Sequence, residues 1–302
     1  AVLMRSRAAT LALDHPNQRS LHSTPTPRLG GIAIAAGIAA AWIYASPPFD
    51  VRLLIALGIL VAISLLEDLK GVAIAWRLLA HFAAALLAMM AAFAEQPLWA
   101  MLVATLATAW MINLYNFMDG SDGLAGGMAV IGFGSYGLAA LLGGDFLFGA
   151  LNLSVATATL GFLWFNFPPA RIFMGDAGAI PLGYLAAVFN VLGWQRGDWP
   201  IWFGIMIFSP FIVDASYTLL KRAVRRARVW QPHREHFYQR LVQCGWGHRK
   251  TALAEYALMV TCSSIAIAGL HLREMPLAAP GVLVLLYAAL IPVFERRLSA
   301  HV

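Results

Sequence analysis

Long apolar runs alternate with short polar breaks along this chain, and the runs have the length of membrane helices. A hydrocarbon core of about 30 Å asks for roughly 20 apolar residues per helix, somewhat fewer where polar ends line a cavity. Ten such runs stand at 30–46, 51–66, 77–94, 98–118, 123–142, 146–166, 177–192, 200–220, 252–270 and 277–294. Proline, glycine and charge separate them, as at Ser46-Pro47-Pro48, Glu95-Gln96-Pro97, Gly143-Gly144-Asp145 and Pro168-Pro169. The pattern predicts an all-α fold, a polytopic integral membrane helical bundle forming one domain over residues 1–302, without internal repeats. Alanine-rich stretches at 33–41 and 83–92 predict close helix packing. Residues 1–13 hold two arginines and no small-residue cleavage site, so they read as neither a signal peptide nor a complete span.

Composition narrows the class. With 60% hydrophobic and 12% charged residues and a mean hydropathy of +0.71, a soluble globule, a coiled coil and a disordered chain are excluded. The net charge of +6 is too sparse for a nucleic-acid-binding face. Topology accounts for it instead. When the loops are assigned alternately to two sides, 18 of the 21 Lys and Arg fall on one side and only Arg52, Arg196 and Arg273 on the other. Cytoplasmic loops carry the excess of cations, so the richer side is cytoplasmic. Cys244 and Cys262 give no readable disulfide framework.

The acids that a membrane should have excluded gather at that cytoplasmic edge. Glu67 and Asp68 end the second run, Asn113, Asn116, Asp119 and Asp122 end the fourth, and Asp176 opens the seventh. Any one of them is explained as a solvated helix end. Five carboxylates converging on one face repel one another unless a cation is present. Asp and Asn oxygens without a Cys/His cluster suit hard Mg²⁺ or Mn²⁺ better than zinc. Polar residues every third position from 113 to 122 would wind halfway round a helix, so Gly120 and Gly123 are expected to open it and turn the last two carboxylates back. The break Gly175-Asp176-Ala177-Gly178 would present helix-start amides to phosphate and Asp176 to metal.

A polar stretch at 221–250 carries nine cations with His233, His236 and His248. Its first part, 221–228, is explained by anionic lipid. The segment Gln231-Pro-His-Arg-Glu-His-Phe-Tyr-Gln-Arg240 interleaves imidazoles, guanidinium and aromatics in a way that suits capture of a polyanion. His81 reads as a core histidine bonded to a neighbouring helix. Asp214, inside the eighth run, is either functional or a buried packing carboxyl. Asp50, Glu95, Asp145, Asp198 and Glu274 read as solvated acids of the outer loops.

Taken in order, Asp14-His-Pro-Asn-Gln-Arg-Ser-Leu-His22 with Pro25-Thr-Pro-Arg-Leu-Gly-Gly31, Glu67-Asp68 with Arg77-Leu-Leu-Ala-His81, Asn113-Leu-Tyr-Asn116-Phe-Met-Asp119-Gly-Ser-Asp122-Gly, Phe173-Met-Gly-Asp176-Ala-Gly and His233-Arg-Glu-His236-Phe-Tyr-Gln-Arg-Leu resemble the polyprenyl-phosphate N-acetylhexosamine-1-phosphate transferases. The resemblance implies a bacterial inner-membrane enzyme with its site on the cytoplasmic face, in which undecaprenyl phosphate attacks the β-phosphorus of a UDP-sugar. Undecaprenyl-diphospho-sugar and UMP result, with Mg²⁺ as cofactor. It implies metal ligation by Asn116 and Asp176, and a base or metal-proximal carboxylate from Glu67 and Asp68, with Asp119 beside them. It places Asp122, Asn166 and Phe173 around the uracil, Asn113 with the substrate, and His233, Arg234 and His236 on the diphosphate. Glu67 replaces the usual Asp, and Ala179 replaces the usual serine. The His-Arg-Glu-His loop is closer to the O-antigen and common-antigen branch than to the triple-histidine peptidoglycan branch. Family members usually carry one span before the Asp14 motif, so eleven spans are expected in the complete protein; a homodimer is compatible with the bundle. The competing class, a secondary transporter, would hold its acids near the midplane between repeats, where only Asp214 fits.

Overall fold

The computed structural model describes residues 13–14, 21, 25–228, 231, 233–272 and 275–299, so the first twelve residues, Arg273 and Glu274 lie outside the described part. A short antiparallel ribbon pairs β1 (Leu13–Asp14) with β2 (Thr26–Pro27), Leu13 opposite Pro27. Helices follow: α1 (Gly30–Ala45), α2 (Val51–Lys70), α3 (Ile74–Ala92), α4 (Leu98–Phe117), α5 (Leu124–Gly143), α6 (Phe146–Asn166), α7 (Asp176–Arg196), α8 (Trp202–Ile207), α9 (Ser209–Val224), α10 (Phe237–Leu241), α11 (Gly247–Gly269) and α12 (Ala278–Ser299). A kinked turn at Val242–Trp246, with Gly245 at φ 86°, joins α10 to α11.

The protein is an all-α polytopic membrane protein. Among the described residues, seven stretches are long and apolar enough to cross a bilayer: α3, α4, α5, α6, α7, the kinked stretch Phe237–Gly269, and α12. The other three predicted runs differ for visible reasons. α1 is apolar but only 16 residues long; α2 carries Arg52, Glu67, Asp68 and Lys70; and the eighth run is broken into α8 and α9. At the break Phe208 leaves helical geometry, and Pro210, which has no N–H to give, stands in the first turn of α9. The new helix brings Asp214 and Arg222 under the basic loop.

α7 is the central helix. It is buried along nearly its whole length and packs against α1, α2, α4 and α5, as expected of a helix that is apolar on every side. Gly31 and Gly178 let α1 and α7 touch backbone to backbone, since a Cβ on either would collide with the other helix. Gly30 and Gly31 also donate their amides to the Phe173 and Met174 carbonyls at 2.9 and 2.8 Å. The start of α7 is thereby fixed at one end of the bundle, beside the ends of α2 and α4 and the start of α3.

Candidate active site at one end of the bundle

Two shifts from the predicted boundaries bear on the site. α2 runs on to Lys70, so Glu67 and Asp68 occupy its last turn. α3 begins at Ile74, so Arg77 sits about one turn inside it. Arg77 then bridges two carboxylates, donating through Nη1 to Glu67 at 2.9 Å and through Nη2 to Asp176 at 2.5 Å. The second Glu67 oxygen accepts the Val72 amide. Arg77 belongs to the candidate site; the sequence shows it as a cation at a span's edge and as part of a family motif, without a role of its own.

Asp68 makes contacts that the sequence did not announce. Its Oδ1 accepts the Asp176 amide at 3.1 Å and its Oδ2 the Ala177 amide at 2.9 Å. The helix-start amides predicted to meet phosphate are therefore already bonded to a carboxylate, which satisfies orphan donors and the positive end of the helix. Gly175, at φ 71°, permits this approach; a Cβ there would lie 2.8 Å from Asp68 Oδ2.

The fourth predicted run does open where expected. α4 ends at Phe117 and Gly123 takes φ 77°. Its last two carboxylates then part company. Asp119 faces Asp176 and Asp68, and burial together with their like charge holds its carboxyl well above the usual carboxylate range. Asp122 instead accepts the Ala170 amide at 3.0 Å, and Oδ1 lies 3.9 Å from His248. His248 Nδ1 takes the Ser121 hydroxyl at 2.9 Å, and its Nε2 reaches the Leu21 carbonyl at 3.2 Å.

Asn166 is buried and held at both ends, accepting the Gly123 amide and donating to the Ile172 carbonyl, each at 2.9 Å. It shapes the loop between α6 and α7. Phe173 lends its backbone to the same construction, donating to the Pro27 carbonyl at 2.8 Å and accepting from Gly30. Asn113 is bonded inside the bundle, to His81 Nδ1 at 3.1 Å and the Ala109 carbonyl at 2.7 Å. His81 is thus the core histidine its position indicated.

The basic segment is docked against this end. Arg222 pairs with Glu235, and Lys221 pairs with Glu295 of α12 at 2.5 Å, so these two are not the free lipid-facing cations expected. Arg225, by contrast, is exposed and lies 3.8 Å from Glu235. His233 Nδ1 accepts the Glu235 amide at 3.3 Å. Burial first, then the nearby His236 and Arg222, push His233 down to about 4, which keeps its ring neutral near pH 7. His236 is buried, its ring 4.8 Å from that of His233. Arg234 stands between them in sequence, and its carbonyl accepts from Gln243 at 3.0 Å.

Tyr238 connects the two groups. Its hydroxyl donates to the Phe117 carbonyl at 3.0 Å, and Gly120 leaves room for it, because a Cβ there would collide with the hydroxyl. The signal available in the sequence was the pairing of a loop tyrosine with a glycine in the carboxylate run.

The Asn116 side chain lies beside the Asp176 carboxylate. Among the described residues no three acidic, His or Cys side chains converge tightly enough to cage a cation alone. One or two protein oxygens completed by phosphate and water is nevertheless the usual manner of Mg²⁺, and the gathering of carboxylates around Asp119 suits such an ion. The donors present fit the group.

The fold and this site define a membrane-embedded enzyme with acids and a basic loop at one end of a helical bundle. Residues 51–193 match the glycosyl transferase family 4 profile. The chain is 30% identical over 277 residues to a probable undecaprenyl-phosphate N-acetylglucosaminyl 1-phosphate transferase of Bacillus subtilis, covering 85% of this chain and 76% of that one. It is 31% identical over 292 residues to a decaprenyl-phosphate N-acetylglucosaminephosphotransferase of Mycolicibacterium smegmatis, covering 81% and 72%. A phospho-N-acetylmuramoyl-pentapeptide-transferase of Enterococcus faecalis is 30% identical over 166 residues, covering 52% and 49%. The chain belongs to glycosyl transferase family 4, the polyprenyl-phosphate N-acetylhexosamine-1-phosphate transferases. The transporter reading gives way to it.

Proposed function

We propose that this protein transfers an N-acetylated amino sugar 1-phosphate from a UDP-sugar to undecaprenyl phosphate, the first committed step of a cell-envelope polysaccharide such as O-antigen. The observation that carries the reading is the juxtaposition, through Tyr238, of a carboxylate cluster short of cations with a histidine- and arginine-bearing loop. An oxygen of the lipid phosphate attacks the β-phosphorus of the UDP-sugar; the bond to the UMP oxygen breaks, and UMP leaves with the electron pair.

Mg²⁺, for which Mn²⁺ could substitute, would be held by Asn116 and Asp176 and would neutralise charge on the diphosphate. Arg234 and the two histidines grip the same diphosphate by charge-assisted and N–H contacts. Arg77 keeps Asp176 and Glu67 in place, and Asp68 anchors the start of α7. Asp122, Asn166 and Phe173 build the adjoining wall, where the uracil sits. The lipid phosphate is already mostly dianionic near neutral pH, so Glu67 is not required for proton abstraction alone.

By its 18-to-3 cation bias this end faces the cytoplasm, in the bacterial inner membrane. Every residue assigned a role belongs to one chain, so the reading needs no homodimer. Purified protein given UDP-N-acetylglucosamine and undecaprenyl phosphate should release UMP in step with lipid-diphospho-sugar, and chelation should stop it. A protein that moves ions across vesicles and releases no UMP is a transporter instead.

A further inference from the structure

Beneath the basic loop lies a carboxylate for which the transfer reaction has no use. Asp214 of α9 is 5% exposed and accepts four hydrogen bonds. Oδ1 takes Thr218 Oγ1 at 3.1 Å, His236 Nδ1 at 3.3 Å and the Phe237 amide at 2.9 Å; Oδ2 takes the Tyr238 amide at 3.2 Å. With Asp214 as the acceptor of all four bonds, the His236 proton is assigned to Nδ1, which leaves Nε2 for another partner.

The His236 ring is stacked on Tyr238 with 5.9 Å between centroids and 10° between planes. Tyr238 is the residue that reaches the end of α4. Four residues further along α9, Thr218 leans on Asp214, and four beyond that Arg222 clasps Glu235. Residues spaced by four lie along one side of a helix. One row of α9 therefore holds the segment 233–238 from below at two points, and each residue it grips is in, or within two residues of, the His-Arg-Glu-His motif.

We propose that Asp214 is a positioning residue of the transferase site, which fixes the segment 233–238 at the level of the carboxylate cluster and so sets the affinity for the diphosphate of the nucleotide sugar. The proposal rests on the reading of that segment as the diphosphate grip. A carboxylate that only supports the fold would be indifferent to which substrate is varied.

The test compares Asp214→Asn, Arg234→Ala and Arg225→Ala in the purified full chain, measuring KM for UDP-N-acetylglucosamine and for undecaprenyl phosphate, kcat, UDP binding by calorimetry, and unfolding temperature. Asn keeps the size and one acceptor oxygen but withdraws the charge. Asp214→Asn should raise KM for the UDP-sugar about tenfold and weaken UDP equally, with KM for the lipid unchanged. If Arg234→Ala raises that KM and Asp214→Asn does not, the positioning role is wrong while the diphosphate grip stands. If Asp214→Asn worsens both substrates alike and lowers the unfolding temperature, the residue is structural and the proposal falls. If neither Asp214→Asn nor Arg234→Ala moves the UDP-sugar KM, the grip itself is misread. Should Asp214→Asn fail to fold, Thr218→Val withdraws one donor from Asp214 and leaves the loop untouched. About a twofold rise in the same KM is then expected, and an unchanged value overturns the proposal.

Discussion

At the end of the bundle away from the site, Asp50 accepts the Arg52 amide at 2.8 Å and pairs with its guanidinium at 2.7 Å, a partner that pulls the carboxyl down to about 2. Asp145 on the same end caps α6 through the Phe148 amide and pairs with Arg196, each at 2.9 Å. At the site end, Glu67, Asp68, Asp119 and Asp176 share the neighbourhood of Arg77 and Arg28, and Arg28 is also paired with Asp14. Asp119 takes the excess, and its carboxyl is driven upward by burial and by two carboxylates. The same residue types stabilise helix ends where each meets its own cation. Where the described acids outnumber the described cations, the surplus carboxyl favours a proton or a cationic ligand.

The sharpest way to break this contrast is at Asp176, which touches Arg77, Asn116 and, through its amide, Asp68. Asp176→Asn is expected to cut UMP release by about a thousandfold, since it withdraws a fixed charge aimed at the reacting diphosphate. Circular dichroism and gel filtration should show a folded protein. Substantial turnover in the variant, or in excess chelator, would return the acids to the role of solvated helix ends.

Asp68 comes next. Its carboxylate holds the start of α7, so Asp68→Asn leaves one helix amide poorly satisfied and displaces Asp176; a loss of about 10- to 100-fold in rate is expected. Glu67→Gln, which keeps an oxygen for Arg77, should cost less, and Glu67→Asp should be tolerated. Because Asp68 bonds to backbone and not to a cation, raising Mg²⁺ should not rescue Asp68→Asn. Rescue by metal would place Asp68 among the ligands. A Glu67→Gln enzyme that is the less active of the two and loses its alkaline rise in rate would make Glu67 the base.

The basic segment offers the same comparison on one element. Arg234→Ala should raise KM for the UDP-sugar about tenfold through loss of a charge-assisted contact. Changing exposed Arg225 and Arg226 should shift only binding to anionic vesicles. Equal effects at both places would make the whole stretch a polybasic surface.

The gathering of the acids at one end was legible because it depends on spacing along the chain. The ends of α4 and α6 and the starts of α5 and α7 follow, to within a residue, from counting apolar runs. Pairing between runs was not legible. Arg77 reads as an edge cation, and only its place one turn inside α3 brings it to Glu67 and Asp176. Asp68 reads as a metal neighbour, and only the close approach of α2 to Gly175 turns it into a cap. Asp214 had no visible partner, because three of its four partners lie more than twenty residues downstream across a loop, and the fourth, Thr218, is an ordinary helix neighbour. Among the outer acids, Asp145 and Asp198 are less solvated than their loop positions imply: Asp145 is a cap, and Asp198 has one buried oxygen without a hydrogen-bond partner among the described residues.

A smaller effect is expected from pH. His233 is neutral in the folded protein down to about 4, whereas an unfolded histidine titrates near 6.5. Between these values the unfolded chain binds the extra proton. The His233 contribution is therefore complete above about pH 6.5 and is lost as pH falls towards 4. Lowering pH from 7.5 to 5 should reduce the unfolding temperature more in the wild type than in His233→Gln. An equal reduction in both would mean that the ring is solvated and the loop less closely docked.

The weakest perturbation belongs to the outer end, where acids have their own cations. Asp145→Ala removes the cap on the Phe148 amide, worth about 1 kcal/mol, and a partly exposed ion pair with Arg196 worth little beyond that. Part of the loss is offset. Arg196 stacks 4.9 Å over Phe148 and stays in place, and the charge released from Asp145 becomes available to Asp198, whose carboxyl is held up by burial and by Asp145. The unfolding temperature should fall by only a few degrees, and turnover should stay within about twofold of wild type because nothing at this end contacts the site. Arg196→Gln should be the costlier change, since it leaves Asp145 and Asp198 facing each other without a counter-ion. If Asp145→Ala instead depresses turnover as Asp176→Asn does, the two ends are not functionally distinct, and the excess of acids over cations at the site end loses its meaning.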